Sequence, residues 1–142
     1  MGLSAVSVFD ITASGLSAER TRMEVIANNI ANANATRDIG GEPYRRREVV
    51  FTTAYEDALS SPSEMSGVEV AAIRPDMSPF QQIYQPGHPD ADEQGFVLLP
   101  NVQMSSELVD LITASRGYEA NLKVMRSFQN MANSAIELLR RI

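Results

Sequence analysis

The sequence predicts an α+β chain in which long N- and C-terminal α-helices form a coiled-coil-like assembly domain around a small, irregular, β-rich middle domain. Apolar residues recur at intervals of seven near both ends. Every proline (Pro43, Pro62, Pro75, Pro79, Pro86, Pro89 and Pro100) falls between Arg37 and Met104, so helix-breaking residues are confined to the centre. Short branched apolar runs bounded by turn formers occupy that same centre. The expected organisation is residues 1–34 as the N-terminal helix, 35–104 as a loop and small β-rich domain, and 105–142 as the C-terminal helix. Formal charge follows the division, at −1, −6 and +1 for the three regions, within a net −6.

In the first region Phe9, Leu16, Met23 and Ile30 form a column at sevens, with Val6, Ala13 and Ala27 beside it and Arg20 interrupting. Such spacing keeps a narrow seam toward a partner helix. Gly15 within it costs about 1 kcal/mol relative to Ala. The helix ends in VIANNIANANAT, which crowds Asn28, Asn29, Asn32 and Asn34 together. Asn tolerates the left-handed cap conformation, which explains one of them, Asn34 for choice. Asn28 and Asn32 lie one turn apart, and Asn121, Asn130 and Asn133 recur in the last region. Buried amides at helix seams fix register and partner choice, so this pattern favours an assembly role over capping alone.

The middle offers four strand candidates: Tyr44–Phe51, Gly67–Ile73, Phe80–Gln85 and Gly95–Val102. Pro86–Gly95 is dense in turn formers and is expected as a loop, and Ser60–Ser66 as a connection or loop tip. In the last region Leu111, Tyr118, Met125, Ala132 and Leu139 make an unbroken column, and Leu108, Ser115, Leu122, Gln129 and Ile136 a second, interrupted one. A helix of about 35 residues is roughly 50 Å long. Pairing the two terminal helices leaves most of each circumference uncovered.

Chemistry is sparse. No Cys is present, so neither a disulfide framework nor a thiolate metal site is available. The acidic balance argues against nucleic acid as a partner. His88, the only histidine, stands beside Asp90, Asp92 and Glu93, which suits a solvated turn better than a metal or acid–base site. Arg45, Arg46 and Arg47 are flanked by Glu42 and Glu48 and read as a salt-bridged strand face. No nucleophile elbow or phosphate-cradling glycine loop occurs. No enzyme activity, cofactor or metal is expected. No apolar run reaches membrane-spanning length, MGLSAVSVFD lacks the basic start of a cleaved leader, and Val6 spoils a myristoylation motif. These signals alone describe a cytoplasmic protein, unless export proceeds without a cleaved leader.

VIANNIANANAT followed by GGEPYRRREVVF (Gly40–Phe51) resembles the amino-terminal signature of the flagellar basal-body rod and hook proteins, with Ser14-Gly15-Leu16 and Ala27–Asn32 as its SGL and ANNIAN-like motifs. HPDADEQGFVLLPNV (His88–Val102) and ELVDLITASRGYEANLKVM (Glu107–Met125) are similar to the short, proximal-rod type of that family, across essentially the whole chain. Glu107–Asp110 stands for its EMVD-like segment, and Ala114–Asn121 for ASRAYEAN, with Gly117 replacing an alanine. The resemblance implies a structural subunit of the rod, exported by the flagellar type III apparatus without signal-peptide cleavage. Its partners would be copies of itself, other rod proteins and a rod-to-membrane-ring adaptor, with no nucleic acid and no direct membrane span.

Subunit contacts are expected at Phe9, Leu16, Met23, Asn28, Asn29, Ile30 and Asn32, and at Leu111, Tyr118, Asn121, Leu122, Met125 and Leu139. A soluble coiled-coil adaptor or export chaperone is the alternative. A metal-dependent enzyme using His88, Asp90 and Asp92 is the third reading.

Overall fold

The computed structural model describes residues 5–37, 40–54 and 67–140, with side chains from Val8 onward. The chain is α+β. Helix α1 spans Ala5–Ala31, strands β1 to β4 span Arg47–Thr53, Val68–Pro75, Gln81–Tyr84 and Phe96–Leu99, and helix α2 spans Met104–Arg140. At 37 residues, α2 is about 55 Å long. The Ser60–Ser66 segment lies outside the described residues.

α1 and α2 pack antiparallel. Phe9 meets Phe128 edge-to-face with ring centroids 5.7 Å apart. Gly15 lies against Asn121, and Glu19 against Gly117. Asn29 reaches Glu107 at the far end. Beyond Phe128 the helix runs on to Arg140 with Met131, Ile136, Leu138 and Leu139 exposed.

The strands form two separate antiparallel hairpins, β1 with β2 and β3 with β4. A shift of register between Val50 and Phe51 bends the first. That hairpin lies along α1, whose Ala18 and Val25 are buried. Val68 N donates to Ser14 Oγ at 3.1 Å. Gly67 lets the strand come this close: its φ is +90°, and a Cβ there would overlap Ser14 Oγ. In the second hairpin β3 is exposed along its length while Val97 of β4 is buried.

The N-terminal helix closes earlier than residue 34. α1 ends at Ala31, and Asn32–Asn34 form a turn held by Ala35 N donating to Asn32 O at 3.0 Å. Among the described residues the buried apolar set is small, being Ala18, Val25, Ile26, Ala33, Val97, Val102 and Ala114, with Pro43 and Pro100 beside them. Much of what fills the centre is polar.

Candidate functional site

That polar centre is built around Asn29, 1% exposed near the end of α1, and Glu107, 0% exposed in the first turn of α2. Asn29 Nδ2 donates to the Arg47 carbonyl at 2.9 Å and to Glu107 Oε2 at 3.0 Å. Asn29 Oδ1 accepts from Arg47 N at 3.0 Å and from the Tyr44 hydroxyl at 2.9 Å. An amide side chain has two donor hydrogens and two acceptor sites, so Asn29 is fully satisfied. It pairs with the backbone of Arg47 as a strand neighbour would, anchoring the start of β1 to α1.

Glu107 carries the network onward. Its Oε1 accepts from Arg46 Nε at 2.6 Å. The Arg46 guanidinium also faces Glu48, Asp76 at 3.6 Å and Asp110 at 3.7 Å. Burial works against the charge of Arg46, but the hydrogen bonds and charges of Glu107 and Glu48 outweigh it and raise its pKa above the ordinary arginine value. Arg46 N donates to Asn101 Oδ1 at 2.8 Å, and Asn101 Nδ2 donates to the Asp76 carbonyl at 3.0 Å. Asp76 Oδ1 accepts from Ser78 N at 2.9 Å. That hydrogen bond, aided by the nearby Arg46, holds the Asp76 carboxyl below its usual value. One junction thus ties together α1, β1, the segment that follows β2, the segment before α2 and α2 itself.

Away from the junction the helices meet along a seam of mixed character. Glu19 occupies the space left by Gly117; a Cβ there would stand 3.1 Å from Glu19 Oε1. Glu19 Oε2 is buried with no hydrogen-bond partner among the described residues. A Cβ on Gly15 would come within 2.9 Å of Asn121 Nδ2. Small residues thus make room for polar side chains of the opposite helix.

The residues expected at contacts distribute unevenly. Asn29 is buried within the chain and engaged inside it. Asn28 and Asn32 instead donate to carbonyls one turn back, Glu24 O at 2.9 Å and Asn28 O at 2.8 Å. Phe9, Leu16, Met23 and Ile30 are half-buried in α1. Leu111, Tyr118, Asn121, Leu122 and Met125 are half-buried in α2, while Leu139 is 73% exposed.

The second column of the C-terminal helix is displaced by one residue at its start. Leu108 is 47% exposed, and the positions turned inward are Glu107, Ala114, Asn121 and Phe128. These also stand at sevens, but an acid and an amide disguise them from a reading based on hydrophobicity. The pairing of Arg46 with Glu48 follows from the salt-bridged strand face, but its link to Glu107, and the roles of Tyr44 and Asn101, are not marked by anything local.

His88 and its acids work as a turn. His88 Nδ1 accepts from Asp90 N at 3.1 Å, and Asp92 Oδ1 accepts from Gln94 N at 2.9 Å and Phe96 N at 2.8 Å. Asp90 accepts from Thr36 Oγ1 at 2.9 Å and pairs with Arg37 at 2.8 Å, fastening the loop to the segment after α1. Arg45 lies 4.2 Å from the Phe80 ring centroid. Among the described residues no group of three or more His, Cys, Asp or Glu is placed to hold a metal ion.

Residues 9–37 match the family described as flagella basal body rod protein. Residues 93–138 match the one described as flagellar basal body rod FlgEFG protein C-terminal. Over nearly full length the chain is similar to proteins named flagellar basal-body rod protein FlgC. That of Borreliella burgdorferi is 41% identical over 152 aligned positions, covering 98% of this chain and 99% of the relative. That of Yersinia enterocolitica is 39% identical over 136, covering 96% and 98%, and that of Bacillus subtilis 38% over 148, covering 96% and 99%.

Proposed function

This chain belongs to the FlgC family of flagellar basal-body rod proteins, and from that membership we propose how it does its work as a structural subunit of the rod. The similarity covers both terminal helices and the middle together, and this single observation carries the assignment. The subunit polymerises through its terminal helices with copies of itself and with other rod proteins, forming the hollow shaft that transmits torque and lets later subunits pass. The α1–α2 pair is its assembly domain, and the two hairpins stand outside it. Apolar residues left exposed along a helix about 55 Å long support this reading.

Contacts to neighbours involve the half-buried column Phe9, Leu16, Met23 and Ile30, and on α2 Leu111, Tyr118, Leu122, Met125 and Leu139, with Asn28, Asn32 and Asn121 at the margins. Asn29 acts inside the subunit, shaping the surface rather than touching the neighbour. The subunit reaches the periplasmic part of the rod through the flagellar type III export apparatus without signal-peptide cleavage, and a rod-to-membrane-ring adaptor receives it. No described helix is long and apolar enough to cross a membrane.

The test is complementation of a strain lacking the native gene with a tagged chain, followed by purification of basal bodies. Recovery of the chain in basal bodies and restored swimming are expected. Leu122→Asp, which puts a charge beside the helix seam, is expected to abolish incorporation and swimming while the hairpins stay folded. A chain absent from basal bodies that nevertheless supports assembly would instead be a soluble adaptor.

A further inference from the structure

The second hairpin leaves one of its edges open. β3 has β4 as its strand partner, and its four residues are all exposed. The direction of its backbone groups follows from the far side of β4. Phe96 N donates to Asp92 Oδ1 at 2.8 Å and Phe96 O accepts from Asp92 N at 2.9 Å, so Phe96 turns its backbone away from β3. Its cross-strand partner Tyr84, and Gln82 two residues earlier, therefore turn theirs away from β4. Gln85 N, which donates to Gly95 O at 2.8 Å, falls on the opposite phase. The edge of β4 is thus closed at Phe96 by the chain's own turn, while β3 presents the N–H and C=O groups of Gln82 and Tyr84 outward.

We propose that this edge pairs with the β3 edge of a second copy, antiparallel about a two-fold axis at Ile83, giving a closed dimer through one continuous sheet. Gln82 and Tyr84 of each copy then exchange backbone hydrogen bonds with Tyr84 and Gln82 of the other. Ile83 meets its own counterpart. Moving the axis to Tyr84 would set Gln82 opposite Pro86, which has no N–H to give. The contact lies outside both helices and does not depend on the rod reading. A two-fold pair closes on itself, so it is a state of the subunit outside any polar shaft.

Charge favours this partner. The chain is acidic overall, yet Met77 to Gly87 contains no Asp, Glu, Lys or Arg, so two copies meet there without like charges face to face. Before β3, Arg45 lies 4.2 Å from the Phe80 ring centroid and donates to the carbonyls of Asp76 and Ser78 rather than to a carboxylate. Beyond β3, the turn that follows carries exposed Glu93. Antiparallel pairing directs the Arg45 end of each copy toward the Glu93 end of its partner, twice over. Pro79 and Pro86 bracket the strand and end the pairing there. Within it, Gln82 of one copy packs beside Tyr84 of the other, which is 63% exposed in the single chain.

The purified full-length chain is followed by sedimentation over a range of concentrations, where a monomer–dimer equilibrium is expected. Gln82→Pro removes an outward N–H and no bond to β4; it should weaken the dimer about tenfold or more with an unchanged circular dichroism spectrum. Gln82→Glu keeps the N–H but sets two acids roughly 7–8 Å apart across the axis, and should weaken it roughly threefold. The chain has no cysteine, so introduced thiols report without background. Ile83→Cys chains should link to each other on mild oxidation, because a non-hydrogen-bonded pair holds its Cα atoms about 4.5 Å apart. Gln81→Cys lies on the same face but roughly 13 Å out of step with its counterpart, and should give less than about a tenth of that yield.

A chain that stays monomeric at every concentration, or whose association is the same after Gln82→Pro, would overturn the dimer. Linking of Gln81→Cys as efficient as that of Ile83→Cys would overturn the register. Recovery in basal bodies is a separate readout. Gln82→Pro should enter them as well as the parent chain does; its exclusion would put the open edge inside the rod and remove the two-fold partner.

Discussion

At Asn29, a side chain weighing little in any hydrophobic count holds four hydrogen bonds across the centre of the molecule. Asn29→Ala removes a partner from the Arg47 backbone N–H and carbonyl and from Glu107 together. Leaving buried polar groups unpaired costs about 1–3 kcal/mol each before relaxation. We expect a loss of about 2–4 kcal/mol in urea denaturation, on the same scale. A comparable substitution at exposed Asn28, whose amide only folds back on its own helix, should stay within about 0.5 kcal/mol.

Asp76 supplies a pH signature. Its carboxyl is held below the usual value, so its contribution is fully present above the ordinary carboxylate range and is lost as pH falls through its folded-state pKa. Asp76→Asn should therefore flatten the acid limb of a stability-versus-pH curve below about pH 4 and leave the slope near neutrality unchanged. The crowding of amides after Val25 was legible as meaningful, but which amide mattered was not. Asn29 differs from Asn28 only by the 100° that one residue turns a helix, and its partners lie up to 78 positions away.

Among the elements, the terminal helices were the most legible, because a seven-residue period needs no knowledge of the partner. The column Leu111, Tyr118, Met125 and Ala132 is half-buried, while Leu139 at its end is 73% exposed. The column through Glu107 and Asn121 was not legible, because the seam mixes carboxylate and amide with Phe128, and sorting by hydrophobicity discards half of it. Gly117 gains its reason only from the opposite helix. In place of alanine it costs helix propensity, yet it gives the Glu19 carboxylate its room.

The coupling of those two residues is measurable. In a Glu19→Ala background, Gly117→Ala should recover about 1 kcal/mol of helix propensity. In the parent chain the new methyl meets Glu19 and most of that gain disappears. A double-mutant cycle by thermal or urea unfolding reads the difference, and additive effects would show that the contact is inert.

For the whole molecule, two helices flanking strands followed from where prolines and periods fall. The four strand candidates each overlap a strand, with β1 and β2 running two residues beyond theirs, while their pairing into two independent hairpins did not follow. Strand pairing depends on register and on the other surfaces each face meets, and short runs leave both open. The junction was illegible for the same reason, because it joins residues from five stretches of chain, none conspicuous alone. A truncation tests the division of labour. Removing residues 132–142 takes away the end of α2 beyond its aromatic contact with α1, where residues 133–140 are exposed. The shortened chain should keep the Asn29–Glu107 junction and unfold within a few degrees of the parent, yet fail to enter basal bodies.

The separation in sequence between Asn29 and Glu107 also sets an order of events in folding. Closing a flexible loop of that length costs about 4 kcal/mol in chain entropy, apart from a constant. Hairpins form in microseconds on their own, so they precede the mating of the two ends. During that interval α1 and α2 are both unmated, and any nearby chain offers the same heptad edges. On the proposed rod reading, local subunit concentration then sets whether the two ends close on each other or on a neighbouring copy first.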